Sequence, residues 1–166
     1  VRFVPLLPGS VAEDGSRAAS NHEASPSLTT PELLAETGEQ LKDIDDPAFA
    51  AAFDRFADRR VVMLGESSHG TQEFYRARAA ITRRFVEQHG FTIVAVEGDW
   101  PDAAAYDRLI RDKPASGSGQ QPFQRFPTWM WRNTVMPVLL RDLKAINAEK
   151  SPEMQAGFYG LDIYNM

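Results

Sequence analysis

Along the chain, an unbroken apolar run, Val61-Val62-Met63-Leu64, gives way at Gly65 to the polar stretch Glu66-Ser67-Ser68-His69-Gly70, after which the period becomes helical. A short apolar run without alternation suits a strand buried on both faces of a parallel sheet. Phe74, Ala77, Ile81 and Phe85 then recur at helical spacing. With Thr71 as N-cap and Gly90 as C-terminal stop, they predict a helix over residues 72–88. Residues 91–96 read as a second buried strand with Glu97 at its carboxyl end, and Pro101 opens a helix through about Arg111. Val135, Leu139, Leu143 and Ile146 mark another helix, with Pro137 in its first turn or at a kink. Residues 157–161 read as a third strand ending at Asp162. Upstream, Pro31 with Leu33 and Leu34, and then residues 48–56, predict two short helices separated by the turn residues Asp45-Asp46-Pro47. The expected fold class is α/β, a parallel β-sheet core with flanking helices.

Between these elements the polar segments divide the chain. Residues 9–30 are mostly Ser, Ala, Glu, Asp, Asn, Pro and Gly, so residues 1–30 read as a flexible tail and residues 31–166 as the folded portion. His22 lies in that tail, where solvation is its expected state. Residues 114–122 read as a loop, and there is no internal repeat. The chain starts at Val1 and stops just after the third strand, so an incomplete domain is expected, with exposed apolar surface.

Composition narrows the function. With 166 residues, 43% hydrophobic and 25% charged, the chain is an ordinary globular length and make-up for one domain. A net charge of -5 offers no basic field for phosphate backbones or anionic lipid, so neither nucleic acid nor a membrane is expected as partner. The lack of cysteine excludes disulfides, thiolate nucleophiles and thiolate metal sites. No signal-peptide core or membrane-length span is present, and a cytoplasmic location is expected.

Candidate chemistry gathers at strand ends. Glu66-x-x-His69 sits on a strand-to-helix loop. A right-handed strand–helix–strand unit would bring Glu97 to the same side of the sheet. A histidine near neutral pKa can take a proton from water, and a neighbouring carboxylate fixes its tautomer. The competing structural role is a helix cap by Glu66 and a backbone bond by His69; Glu97, ending an apolar strand, favours a polar cleft. A second chemical reading uses Glu66, His69 and Glu97 as ligands of a divalent cation, although a second histidine is missing. Gly65 and Gly70 do not make a phosphate-binding loop, because the lysine is absent. Arg76 and Arg78 follow in the first helical turns, where a guanidinium can bind a substrate carboxylate or pair with Glu97. Trp100, Trp129 and Trp131 are candidates for a pocket wall, with core packing the competing role. Asp162 belongs to the edge that carries Glu97, and Arg132 is its candidate partner. His89, beside Gly90, is explained by the dipole of the helix it ends.

Four ordered motifs carry a resemblance. Residues 65–75 (Gly-Glu-Ser-Ser-His-Gly-Thr-Gln-Glu-Phe-Tyr), Gly90-Phe91 with Val96-Glu97-Gly98-Asp99-Trp100-Pro101-Asp102, residues 125–133 (Arg-Phe-Pro-Thr-Trp-Met-Trp-Arg-Asn) and Phe158-Tyr159-Gly160-Leu161-Asp162 resemble the erythromycin esterase family. The resemblance implies a hydrolase acting by water attack on a small ester or lactone, some members opening the macrolactone of erythromycin-type antibiotics. It implies His69 as general base, Glu66 and Glu97 as active-site carboxylates and Arg78 as a further cleft residue, with no metal or other cofactor. Trp100, Trp129, Arg132 and Asp162 are the remaining candidates for substrate binding. Family members are longer and place another active-site histidine far downstream, so this chain is expected to turn ester over more slowly than an intact homologue, with a non-catalytic small-molecule-binding fragment as the third reading beside the metal-dependent hydrolase.

Overall fold

The computed structural model describes the main chain of residues 2–3 and then residues 28–66, 68–115 and 121–163. The chain forms two compact units, Val1–Lys42 and Asp43–Met166.

In the first unit, β1 (Arg2–Phe3) pairs antiparallel with β2 (Glu39–Gln40), and α1 (Thr30–Thr37) lies between them in sequence. The start of α1 is fixed by Thr29, whose main-chain N–H and hydroxyl both donate to the Glu32 carboxylate, at 2.8 and 2.6 Å. Those two bonds hold the Glu32 carboxyl below its usual pKa. The boundary between the units falls after Lys42, and β2 pairs with β1 within the first of them. The tail expected over residues 1–30 departs from that reading at Arg2–Phe3. Residues 1 and 4–27, His22 among them, lie outside the described residues.

The second unit holds a two-stranded parallel sheet of β3 (Ile93–Asp99) and β4 (Gly157–Asp162). Between these strands run α4 (Trp100–Ile110) and α5 (Val135–Ala148); before them come α2 (Ala48–Ala51), a 3-10 turn at Asp54–Phe56, and α3 (Gln72–Gln88). The helix expected over residues 48–56 is thus split in two, and the loop expected over residues 114–122 falls partly outside the described residues. One face of the sheet shares a core with α3, α4 and α5, made of Val86, Ala103, Ile110, Met136, Leu140, Leu143 and Phe158. On the opposite face Ile93, Tyr159 and Leu161 are exposed. The strands approach so closely at Gly160 that a Cβ there would press on the carbonyl oxygens of Gly98 and Asp99.

Asn147 ties the layers together. Its amide donates to the main-chain oxygens of Ile110 (3.0 Å) and Ala156 (2.9 Å), and its oxygen accepts from Ala156 N–H (2.7 Å). One fully buried side chain therefore joins the end of α4, the end of α5 and the approach to β4.

Two expectations are corrected. Residues 61–64 form no strand: residues 61–66 carry no ladder bonds, and Val61 and Met63 face solvent. The segment stands across a cleft from β3 instead of pairing with it, and water can satisfy main-chain groups on an exposed segment. Secondly, β3 starts and ends later than expected, so Glu97 lies within the strand. The cause is the end of α3, where Gly90 adopts φ +71° and the Phe91 N–H turns back onto the Phe85 oxygen at 3.2 Å. The Phe85 and Phe91 rings pack 5.0 Å apart, and the chain is extended only beyond them.

Candidate active site

The loop before α3 supplies the first two groups. Glu66 Oε1 lies 2.5 Å from His69 Nδ1. Because a carboxylate only accepts, Nδ1 is the protonated nitrogen, and Nε2 keeps its lone pair for a proton from outside. The next turns of α3 add a third group and a support. Arg78 Nη2 lies 2.7 Å from Glu66 Oε2 as an ion pair, and Oε2 is buried with no hydrogen-bond partner among the described residues. The Arg78 guanidinium is 4.7 Å from the centre of the Tyr75 ring. Glu66 is 14% exposed and His69 52%, so the carboxylate is shielded while the imidazole is open to solvent.

Glu66, His69, Tyr75, Arg78 and Glu97 line one cleft of about 1030 Å³, walled on its other sides by β3 and by Met130 and Trp131. That volume is at the upper end of small-molecule sites, which run to roughly 1,000 Å³. Trp131 donates from Nε1 to the Glu97 main-chain oxygen at 2.7 Å and packs edge-on against Tyr75 at 6.2 Å, which links β3 to α3. A right-handed crossover bringing Glu97 beside His69 needs a first strand, and residues 61–64 form none. The residues nevertheless share the cleft, because α3 lies along it and β3 forms its wall.

Burial raises the Tyr75 pKa, the Glu66 charge adds to the rise, and Arg78 opposes it. At the carboxyl end of the sheet Asp162 stands opposite Asp99 in register, and Asp162 Oδ2 is buried without a hydrogen-bond partner among the described residues. Asp102, in the first turn of α4, is also held above its usual pKa, chiefly by burial, against a bond from the Phe123 main chain.

Of the other expected residues, Arg132 donates to Gln121 Oε1 at 2.8 Å, not to Asp162, and lines a second cavity of about 550 Å³ with Tyr106, Leu109 and Lys144. Trp131 separates the two cavities. Trp100 and Trp129 are exposed, the latter against Phe126 with ring centres 5.1 Å apart, and neither lines the cleft. Arg76 pairs with Asp45, and Arg78 pairs with Glu66 rather than Glu97. His89 caps α3 but also bonds Asp54 through Nε2 at 2.7 Å, so the helix dipole is not its whole explanation. Arg84 holds the same carboxylate, and together they depress the Asp54 pKa to about 2, with the Arg84 bond the largest cause. Among the described residues no three His, Asp or Glu side chains are grouped to hold a metal ion, and Glu66, His69 and Glu97 form no such group.

Tyr75 is the site residue that pattern reading missed. It stands six residues after His69 within the first motif, and its aromatic character alone marks it as core. The missing signal is its hydroxyl, which donates to the His69 main-chain oxygen at 2.7 Å.

Residues 86–166 match the family described as Erythromycin esterase. The match contains three of the four motifs and Glu97, and the loop of Glu66 and His69 precedes it. The crystal structure of a succinoglycan biosynthesis protein is also similar, with a TM-score of 0.60 and 22% identity over 76% of this chain and 32% of that one. At that identity the likeness is one of fold, and this chain spans about a third of that protein's length. No helix among the described residues is long and apolar enough to cross a membrane.

Proposed function

We propose, from the premise that residues 86–166 form an erythromycin esterase-family segment, that the cleft belongs to an esterase-type hydrolase acting on a small ester or lactone, macrolides among the candidates. The observation that carries this reading is the Glu66–His69 bond at 2.5 Å beside an open cleft that Glu97 also lines. His69 Nε2 takes a proton from water as the water oxygen attacks the carbonyl carbon. The tetrahedral intermediate then collapses with cleavage of the C–O bond, and the imidazolium returns the proton to the departing alkoxide. Glu66 holds the tautomer and stabilises the imidazolium, and Arg78 pairs with Glu66 and holds it in place. Glu97, on the facing wall, is the second carboxylate available to orient water or substrate.

The test is hydrolysis of a panel of simple esters, lactones and macrolides by the chain and by His69→Ala. General-base catalysis contributes roughly 10²–10⁴-fold, so the variant should lose about that much in kcat. An unchanged rate removes His69 from the mechanism. Dialysis against a chelator with metal analysis tests the metal-dependent class: stoichiometric metal whose removal abolishes activity would replace this reading.

A further inference from the structure

We propose that Tyr75 is a positioning residue of this site, a side chain that holds both His69 and the arginine behind Glu66. The proposal rests on the hydrolase reading only for its kinetic consequence; the geometry stands independently. Tyr75 is 6% exposed, with its hydroxyl donating to the His69 main-chain oxygen and its ring under the Arg78 guanidinium. Each contact acts on a different end of the same chain of groups. The hydroxyl anchors the backbone of the exposed loop, whose position decides where the imidazole points. The ring supports Arg78, which pairs with the Glu66 carboxylate that bonds His69 Nδ1. A third contact runs across the cleft, since the ring edge meets Trp131, whose Nε1 binds the main chain of Glu97.

The rigidity comes from where Tyr75 stands. It is fixed on the inner side of α3, a 17-residue helix, whereas Ser68, His69 and Gly70 are all exposed. A loop with so little buried surface needs an anchor from a regular element to keep a reacting group in one geometry, and small displacements of such groups are costly in rate. A phenylalanine would keep the ring contacts with Arg78 and Trp131 and lose the anchor, so the two functions can be separated.

The experiment compares the wild-type chain, Tyr75→Phe and Tyr75→Leu in three readouts: kcat and KM on an ester the wild type hydrolyses, the His69 ring ¹⁵N resonances, and melting temperature. Tyr75→Phe is expected to lower kcat by about tenfold with KM unchanged, and to shift the His69 resonances, as loss of one aligning hydrogen bond requires. Tyr75→Leu should lose more, because Glu66 loses its supported partner as well. Unchanged kcat and unchanged His69 resonances in Tyr75→Phe overturn the proposal, as does a fall in kcat that merely tracks a lower melting temperature. If the wild type hydrolyses no ester, the hydrolase reading fails while the His69 resonances still decide the role of Tyr75. Should Tyr75→Phe not fold, 3-fluorotyrosine labelling changes the donor strength at nearly constant volume. Of the described tyrosines only Tyr75 bonds His69, so unmoved His69 resonances would then overturn the proposal.

Discussion

Two polar clusters of this protein are built from opposite materials. The Asn147 side-chain amide bonds main chain alone: Ile110 O, Ala156 O and Ala156 N–H, all inside the core. Around His69 the partners of the charged groups are other ionisable side chains, Glu66 to His69 and Arg78 to Glu66, and the cluster opens on a cleft. Neutral groups satisfied by backbone in a dry core have one arrangement and no proton to exchange, so their role is to fix layers. Ionisable groups held by one another beside solvent can exchange a proton and still keep their geometry.

The largest break in the comparison comes from the open cluster: His69→Ala should remove roughly 10²–10⁴ in kcat with the melting temperature nearly unchanged, since the imidazole is half exposed. Next is the closed cluster. Asn147→Leu leaves buried main-chain groups unpaired and should cost about 3 kcal/mol, roughly two orders of magnitude in the folding constant, read by urea denaturation. A cost within the scatter of a surface substitution would mean that the Asn147 bonds are redundant. The smallest effect concerns Asp54, which shares features of both clusters. Its folded pKa of about 2 lies below the ordinary 3.8. Its contribution is therefore fully present above about pH 4 and is lost as pH falls through 2. Asp54 is partly solvent-screened, so Asp54→Asn should cost below about 1 kcal/mol near neutral pH and flatten the loss of stability between pH 4 and 2. An identical acid profile in the variant would show that the pairs with Arg84 and His89 contribute nothing.

Periodicity made α3 legible to the residue, because its apolar spacing, its Thr71 start and its Gly90 stop all agree. It misread residues 61–64 for a physical reason: an apolar run reports the wish to be buried, whereas a strand also needs a neighbour to bond. The amino end of β3 was misplaced because the return of the Phe91 N–H onto the Phe85 oxygen belongs to the end of α3, and strand periodicity carries no sign of it. Among the residues that line the cleft, Glu66, His69 and Glu97 were readable as polar residues ending apolar runs, and Arg78 by its place in the first turns after the loop. Tyr75 was not, since its function lies in one hydroxyl on a side chain that otherwise packs. Arg132 and Asp162 stand in separate motifs, and the pairing expected between them is not made: Arg132 bonds Gln121 instead. Asn147 gave no sign at all, because a buried asparagine on an amphipathic helix looks like a surface residue out of register.

The central claim is that Glu66 acts through His69 as one unit. A double-mutant cycle on ester hydrolysis with Glu66→Gln, His69→Ala and the double variant tests it most directly. Glu66→Gln alone should lower kcat by about tenfold or more, and on the His69→Ala background the same change should cost nothing further, because the carboxylate has no imidazole left to orient. Losses that simply multiply would contradict the claim and make Glu66 an independent contributor.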